Sequence, residues 1–184
     1  MINAIIETER LYFRKFTAAD DVNIFELDAD PEVHEYLGQK PIQSLSEAQA
    51  VISFIIKQYV DNGIGRLAII EKETGNFIGW GGFKLITEPT NQHLNYHDLG
   101  YRFIKKYWGK GYATESAKAT IKYGFEQLDL KTIYAIADVN NIQSRKVLEK
   151  CGFICKEVFD YELMPHHWFE LNASQLTIGI KYQR

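Results

Sequence analysis

The chemistry most legible in the chain lies between Tyr101 and Glu115, where a strand-like run gives way to Lys105 and Lys106, then to Gly109-Lys110-Gly111, and a helical pattern starts at Tyr112. Glycine lets backbone approach a ligand closely. A helix start points unpaired N–H groups and a partial positive charge outward, so this junction suits an anion, phosphate above all, and Lys110 can add a point charge. An ordinary tight connection between strand and helix would carry the same glycines. No Gly-x4-Gly-Lys-Ser/Thr is present, and Gly109-Lys-Gly111 lacks the third glycine of a dinucleotide fingerprint. A phosphate ligand here must therefore be of another kind.

Other reactive side chains carry less. His97 and Asp98 are neighbours in an extended run, so they point to opposite faces and cannot both address one ligand without a bulge. Cys151 and Cys155, the only cysteines, are spaced C-x3-C without a second pair, which suggests neither a disulfide framework nor a zinc site. His166-His167-Trp168, placed in a last loop, invites a metal reading, but adjacent histidines diverge and no partner ligands are evident, so no metal is assigned.

These groups need a scaffold. Thr8 to Phe16 reads as a strand, and Thr17-Ala-Ala-Asp20 as a capping box opening a helix through Leu27. Asp30-Pro31 predicts a second helix, with Val33, Tyr36 and Leu37 as its apolar stripe and Gly38 as its stop. Ser44-Leu-Ser-Glu47 opens a third, carried by Ala48, Val51, Ile52, Ile55 and Tyr59 to Gly63. Leu67 to Glu71 and Phe77 to Leu85 form a hairpin, and Tyr96 to Ile104 a third sheet strand. A helix from Tyr112 to Leu128, a strand from Thr132 to Val139 and a short helix from Ser144 to Lys150 follow. Phe153 to Leu163 and Leu176 to Tyr182 are read as closing strands. The fold class is α+β: a mixed, mostly antiparallel sheet with helices on both faces and a β-α-β core.

The 184 residues, 46% hydrophobic, suit one domain spanning 1–184. A formal charge of -3 and a pI near 6.0 leave no basic surplus for nucleic acid. No apolar run approaches a membrane span or a signal peptide's core, so a cytoplasmic protein is expected.

The segment Trp108-Gly-Lys-Gly111-Tyr-Ala113-Thr-Glu115 resembles the pyrophosphate loop of the GCN5-related N-acetyltransferases, Gln/Arg-x-x-Gly-x-Gly/Ala, with Trp108 at the Gln/Arg position. That aromatic variant is similar to the ribosomal-protein N-terminal acetyltransferase (RimJ/RimL-like) branch. Three more blocks agree in order: Thr8-Glu-Arg-Leu11 with Arg14, Leu99-Gly100-Tyr101, and Asn141-Ile-Gln-Ser144 leading to Leu148-Glu-Lys-Cys-Gly152-Phe153. The resemblance implies that acetyl-CoA is the cosubstrate. Its pyrophosphate would rest on Trp108, Gly109, Lys110, Gly111, Tyr112, Ala113 and Thr114, and its pantetheine arm on the splayed strand end at Phe103 and Ile104. Asn141 and Ser144 would lie near the thioester, although Asn141 could equally N-cap the following helix.

The resemblance further implies direct acetyl transfer to a primary amine, on a protein N-terminus, a ribosomal protein's included, or on a small molecule. Asp98 is the first candidate for the base, since related members often carry glutamate there, with His97 as its substitute. Ser144 would protonate the departing thiolate, because Leu148 stands where other branches place a tyrosine. Backbone N–H groups near Phe103 and Ile104 are the expected oxyanion donors. His34, Tyr36, Trp80 and Tyr96 are candidates to line an acceptor groove. A silent acyl-CoA-binding module, or an acyltransferase using another acyl-CoA or acceptor, would share the same loop. The protein is expected as a monomer or homodimer.

Overall fold

A computed structural model describes residues 4–175. Eight strands, β1 (Ile6–Glu7), β2 (Leu11–Arg14), β3 (Arg66–Glu71), β4 (Phe77–Ile86), β5 (Tyr96–Phe103), β6 (Thr132–Asp138), β7 (Ile154–Tyr161) and β8 (Met164–Asn172), form one sheet in the order β1-β2-β3-β4-β5-β6-β8-β7. All neighbours are antiparallel except β5 and β6, which are joined by the crossover helix α3 (Tyr112–Glu126). Helices α1 (Asp21–Asp28) and α2 (Leu45–Asn62) precede it, and α4 (Ile142–Lys150) follows.

Local chemistry accounts for the helix ends. Ser44 accepts from the Glu47 N–H at 3.4 Å and Gly63 terminates α2 at φ 69°, so both ends fall where the capping residues predict them. Before α1, the Thr17 N–H donates to Asp20 Oδ2 at 2.8 Å while Arg14 grips both Asp20 oxygens. Burial opposes ionisation of Asp20, but Arg14 and Thr17 outweigh it and hold its carboxyl below the usual range.

The two faces of the sheet carry different partners. Gly81 leaves room for Ser116 of α3, where a Cβ would come within 2.7 Å of Ser116 Oγ. On this face Phe83, Leu99, Ile121, Ile133, Leu148 and Phe169 bury one core under α3 and α4. Arg102, on the opposite face beside Trp80, reaches Asp28 of α1. Helices therefore cover both faces, as the α+β reading expects.

Three expectations change. Residues 31–39 form successive turns rather than a helix: the Asp30 side chain caps the Glu32 N–H at 2.9 Å as it would at a helix start, but Val33, Glu35 and Leu37 then each bond three residues back, Gly38 turns at φ 76°, and Val33 and His34 are the residues that bury themselves. The expected last loop around His166-His167 is strand β8, an interior strand between β6 and β7. Both of its faces are covered, with Trp168 on one side and Phe169 on the other each fully buried, which hides the strand from an alternation test. The short β1 was not anticipated. The strand expected at Leu176 to Tyr182 lies outside the described residues. Among those described, no helix is long and apolar enough to cross a membrane.

Candidate active site

The sheet opens at its one parallel pair. β5 and β6 share a single register, Asp98 with Tyr134, after which Leu99 to Phe103 and Ala135 to Asp138 run on without pairing to each other. Exposed main-chain edges inside a sheet are uncommon, because buried N–H and C=O groups demand partners. An extended ligand with amide groups would supply them. Two of the expected main-chain positions are already engaged: Ile104 donates its N–H to the Ile78 carbonyl at 3.0 Å, and the Phe103 carbonyl accepts from Trp108 Nε1–H at 2.7 Å. The first leaves no free oxyanion donor at Ile104. The second gives Trp108, otherwise half exposed, a task in holding the strand end.

At the mouth of this opening the chain passes Lys105 and Lys106, which pair with Glu32 and Glu26, and reaches the glycines. Gly109 and Gly111 adopt φ 74° and 83°, and Gly111 is the residue before the first turn of α3. A Cβ on Gly109 would meet nothing within 4 Å and one on Gly111 only Arg10 Nη2 at 3.5 Å, so the left-handed backbone, not crowding, demands glycine. Lys110 lies over the Tyr107 ring.

The turn between β1 and β2 braces this junction. Thr8 Oγ1, the Arg10 N–H and Arg10 Nε all donate to Glu115, at 2.6, 3.1 and 2.7 Å, and Arg10 Nη1 donates to the Lys110 carbonyl at 3.0 Å. Burial works against the Glu115 charge, but these donors prevail and keep its carboxyl below the usual range. Tyr112 donates to Glu71 of β3. The Thr8-Glu-Arg block and Glu115, distant in sequence, are thus two halves of one support.

Beside the opening, on the α3 face, Tyr101 Oη lies 3.2 Å from Ser144 Oγ and from the Ser144 carbonyl. Burial raises the Tyr101 phenol above its ordinary value. Asn141 N-caps α4, its side chain accepting from the Ser144 N–H at 3.0 Å. His97 points to this same side, edge-on to Phe83, and burial lowers its pKa.

The other face presents charge. Asp98, with 13% of its side chain exposed, receives Arg66 Nη2 at 2.6 Å, and Arg66 Nη1 donates to the Asp98 and Gly82 carbonyls at 2.9 and 2.5 Å. Gly82 and Gly100 face each other across β4 and β5, and a Cβ on Gly100 would strike the guanidinium at 2.6 Å. Burial pushes the Asp98 carboxyl up, against the pull of Arg66 and Lys84. Trp80 lies between Arg66 and Arg102, each 5.1 Å from its ring centroid, and Arg102 continues to Asp28 at 2.6 Å with His34 alongside. Beyond Asp98, His93 stacks on Trp168 at 4.7 Å, with Tyr96 and Tyr134 packed edgewise or tilted against it. Burial lifts the Tyr96 phenol to about 12.

The structure therefore brings Asp98, Trp80, Tyr96 and His34 to one face, and Ser144, Asn141 and His97 to the other. Arg66, Arg102, Asp28 and Trp168 come from separate elements and were not found from sequence. The Gly82 and Gly100 pair was the available sign that something large crosses there. Among the described residues no group of three or more metal-ligating side chains converges.

With this geometry in hand, the chain matches the model described as an acetyltransferase (GNAT) domain over residues 10–154. It is 34% identical over 146 residues to the uncharacterized N-acetyltransferase p20 of Bacillus licheniformis, covering 79% of this chain and 80% of that one. It is similar in structure to a GNAT-family acetyltransferase from Bacillus anthracis, with a TM-score of 0.74 and 25% identity over 91% of this chain and 97% of the other. The fold of a spermidine N-acetyltransferase from Vibrio cholerae, solved with CoA and spermine, also matches, with a TM-score of 0.74 and 20% identity over 92% and 99% of the two chains.

Proposed function

The chain belongs to the GNAT acetyltransferase family, and on that premise we propose that it carries an acetyl group from acetyl-CoA to a primary amine, on a protein N-terminus or a small molecule, by direct attack. The observation that carries this reading is the opening between β5 and β6, with positive-φ glycines and a helix start at one end and the Asp98–Arg66 pair on the face beside it. The N–H groups from Gly109 to Thr114 would hold the pyrophosphate, and the free edge of β5 the amide-bearing arm.

Attack requires a neutral amine. Asp98 is the proposed base: it lies on the charged face, and burial raises its proton affinity while Arg66 fixes its orientation. His97 is turned to the opposite face and is a weaker candidate. On the α3 face, the paired Tyr101 and Ser144 hydroxyls can donate a hydrogen bond to the leaving thiolate, which is a weak enough base to depart before it takes up a proton. Asn141 contributes by starting α4 so that Ser144 meets Tyr101.

Calorimetric titration of acetyl-CoA, followed by free-thiol release across amines and N-terminal peptides, tests the reading. Tight binding with acceptor-stimulated release is expected. Binding with no acceptor-dependent release would instead make the domain an acyl-CoA-binding module, and failure of acetyl-CoA to bind would remove the proposal.

A further inference from the structure

Among the described residues, three of the six buried side-chain atoms without a hydrogen-bond partner fall in one place. His34 Nδ1, His34 Nε2 and Arg102 Nε are all orphaned, and they lie in a single cluster around Asp28. Orphans of this kind are expensive to bury, and a group of them on the face that carries Asp98 calls for a partner that satisfies them.

The cluster is held in a defined orientation. Asp28, itself buried, occupies Arg102 Nη1 at 2.6 Å, and Trp80 backs the guanidinium. The Nε edge is left over, which is the edge that binds a carboxylate side-on. His34 is fixed through its backbone, donating to Asp30 and accepting from Leu37 and Gln39. Burial and the neighbouring Arg102 charge lower its pKa, so its imidazole is neutral and can donate one N–H.

Charge order along β5 adds a second argument. Asp98 and Arg102 share a face, with Gly100 between them, and each has an oppositely charged partner. The face is balanced overall, since Arg66 neutralises Asp98 and Asp28 neutralises Arg102, and what is left over is hydrogen-bonding capacity at Arg102 Nε and His34. An N–H left over at Arg102 has nothing to accept from a second ammonium group and suits an acceptor oxygen.

We propose that Arg102 and His34 form a carboxylate subsite, and that the acceptor is an amino-carboxylate long enough to reach from there past Trp80, presenting its amine toward Asp98 four residues back along β5. This rests on the acetyl-transfer reading above and narrows its acceptor.

The test compares thiol release with α-amino acids, ω-amino acids of increasing chain length, their decarboxylated amines, C-terminally blocked dipeptides and spermidine. The preferred amino acid is expected to exceed its decarboxylated amine in kcat/KM by roughly 30-fold or more, the scale of one desolvated charge pair. Arg102→Lys, which keeps a cation for Asp28 but removes the planar edge, and His34→Gln should each shrink that ratio, chiefly through KM. Thermal melting checks that both variants fold. Equal rates for acid and amine, or a preference for spermidine or blocked peptides, would overturn the proposal.

Calorimetry of the same amino acids and amines, with and without CoA, supplies a readout independent of turnover. Amino-acid binding that Arg102→Lys weakens supports the subsite even if no acetyl transfer occurs, and absence of such binding refutes it. Failure of acetyl-CoA itself to bind would instead count against the acetyl-transfer reading.

Discussion

The two ends of β5 are built on different principles. At its C-terminal end, the work falls to backbone: two left-handed glycines, a helix start, and a brace in which Thr8 and Arg10 hold Glu115. Along its charged face, the work falls to side chains from β3, β4, β5 and α1, paired so that charges cancel. A site made of backbone tolerates sequence change around fixed glycines. A site made of side chains can be retuned one residue at a time, so variants at the two ends should separate turnover from cosubstrate affinity.

The largest effect is expected from Asp98→Asn, which keeps shape but removes the proton acceptor: kcat should fall by about 10²–10⁴-fold, the usual range for a lost general base, while acetyl-CoA affinity holds. Because burial raises the Asp98 pKa, the acid limb of the wild-type kcat/KM profile should lie above the ordinary aspartate value of 3.8. An unchanged kcat would break the division between the two ends.

At the other end, Gly111→Ala forces a Cβ into a left-handed conformation at a cost of about 1–2 kcal/mol. Both the melting temperature and acetyl-CoA affinity should drop, the latter by roughly tenfold if the strain is relieved by moving the loop. Glu115→Ala removes the acceptor of three donors and should weaken acetyl-CoA binding several-fold, with kcat at saturation retained, as calorimetry and initial rates would report.

The smallest effect concerns acid stability. Asp20 and Glu115 both have carboxyls held below their unfolded values of 3.8 and 4.5. A depressed folded pKa contributes stability that is present above the unfolded value and lost as pH falls through the folded one. Melting curves should therefore be flat near neutrality and decline as pH drops below about 4.5, with the Glu115→Ala variant losing less.

The contrast also explains what sequence could convey. Capping boxes at Thr17 and Ser44, the glycines at 109 and 111 and the order of the blocks were legible because each is local, with its physical cause within a few residues. The 30–38 segment misled because Pro31, an apolar stripe, Gly38 and even the Asp30 cap on the Glu32 N–H satisfy helix rules, while burial of only Val33 and His34 leaves the chain in turns bonded three residues back. β8 was hidden by burial on both faces. Arg66 and Arg102 were missed for a different reason: their meaning lies in partners at Asp98, Trp80 and Asp28, and no spacing rule links positions that meet only across a sheet.

The lone Asp98 and Tyr134 rung between β5 and β6 reaches beyond the site. β6 is secured on its other edge by seven registered pairs with β8, so the sheet is two plates whose main chains meet at one rung, held across the seam otherwise by α3 and by side-chain packing such as Tyr96 on Trp168. Such an assembly loosens in parts. Amide protons along the seam should exchange through small excursions of one plate against the other, well before the plates themselves unravel. A guest main chain lying in the seam would act as the missing lath, and occupancy could then be read as stiffness.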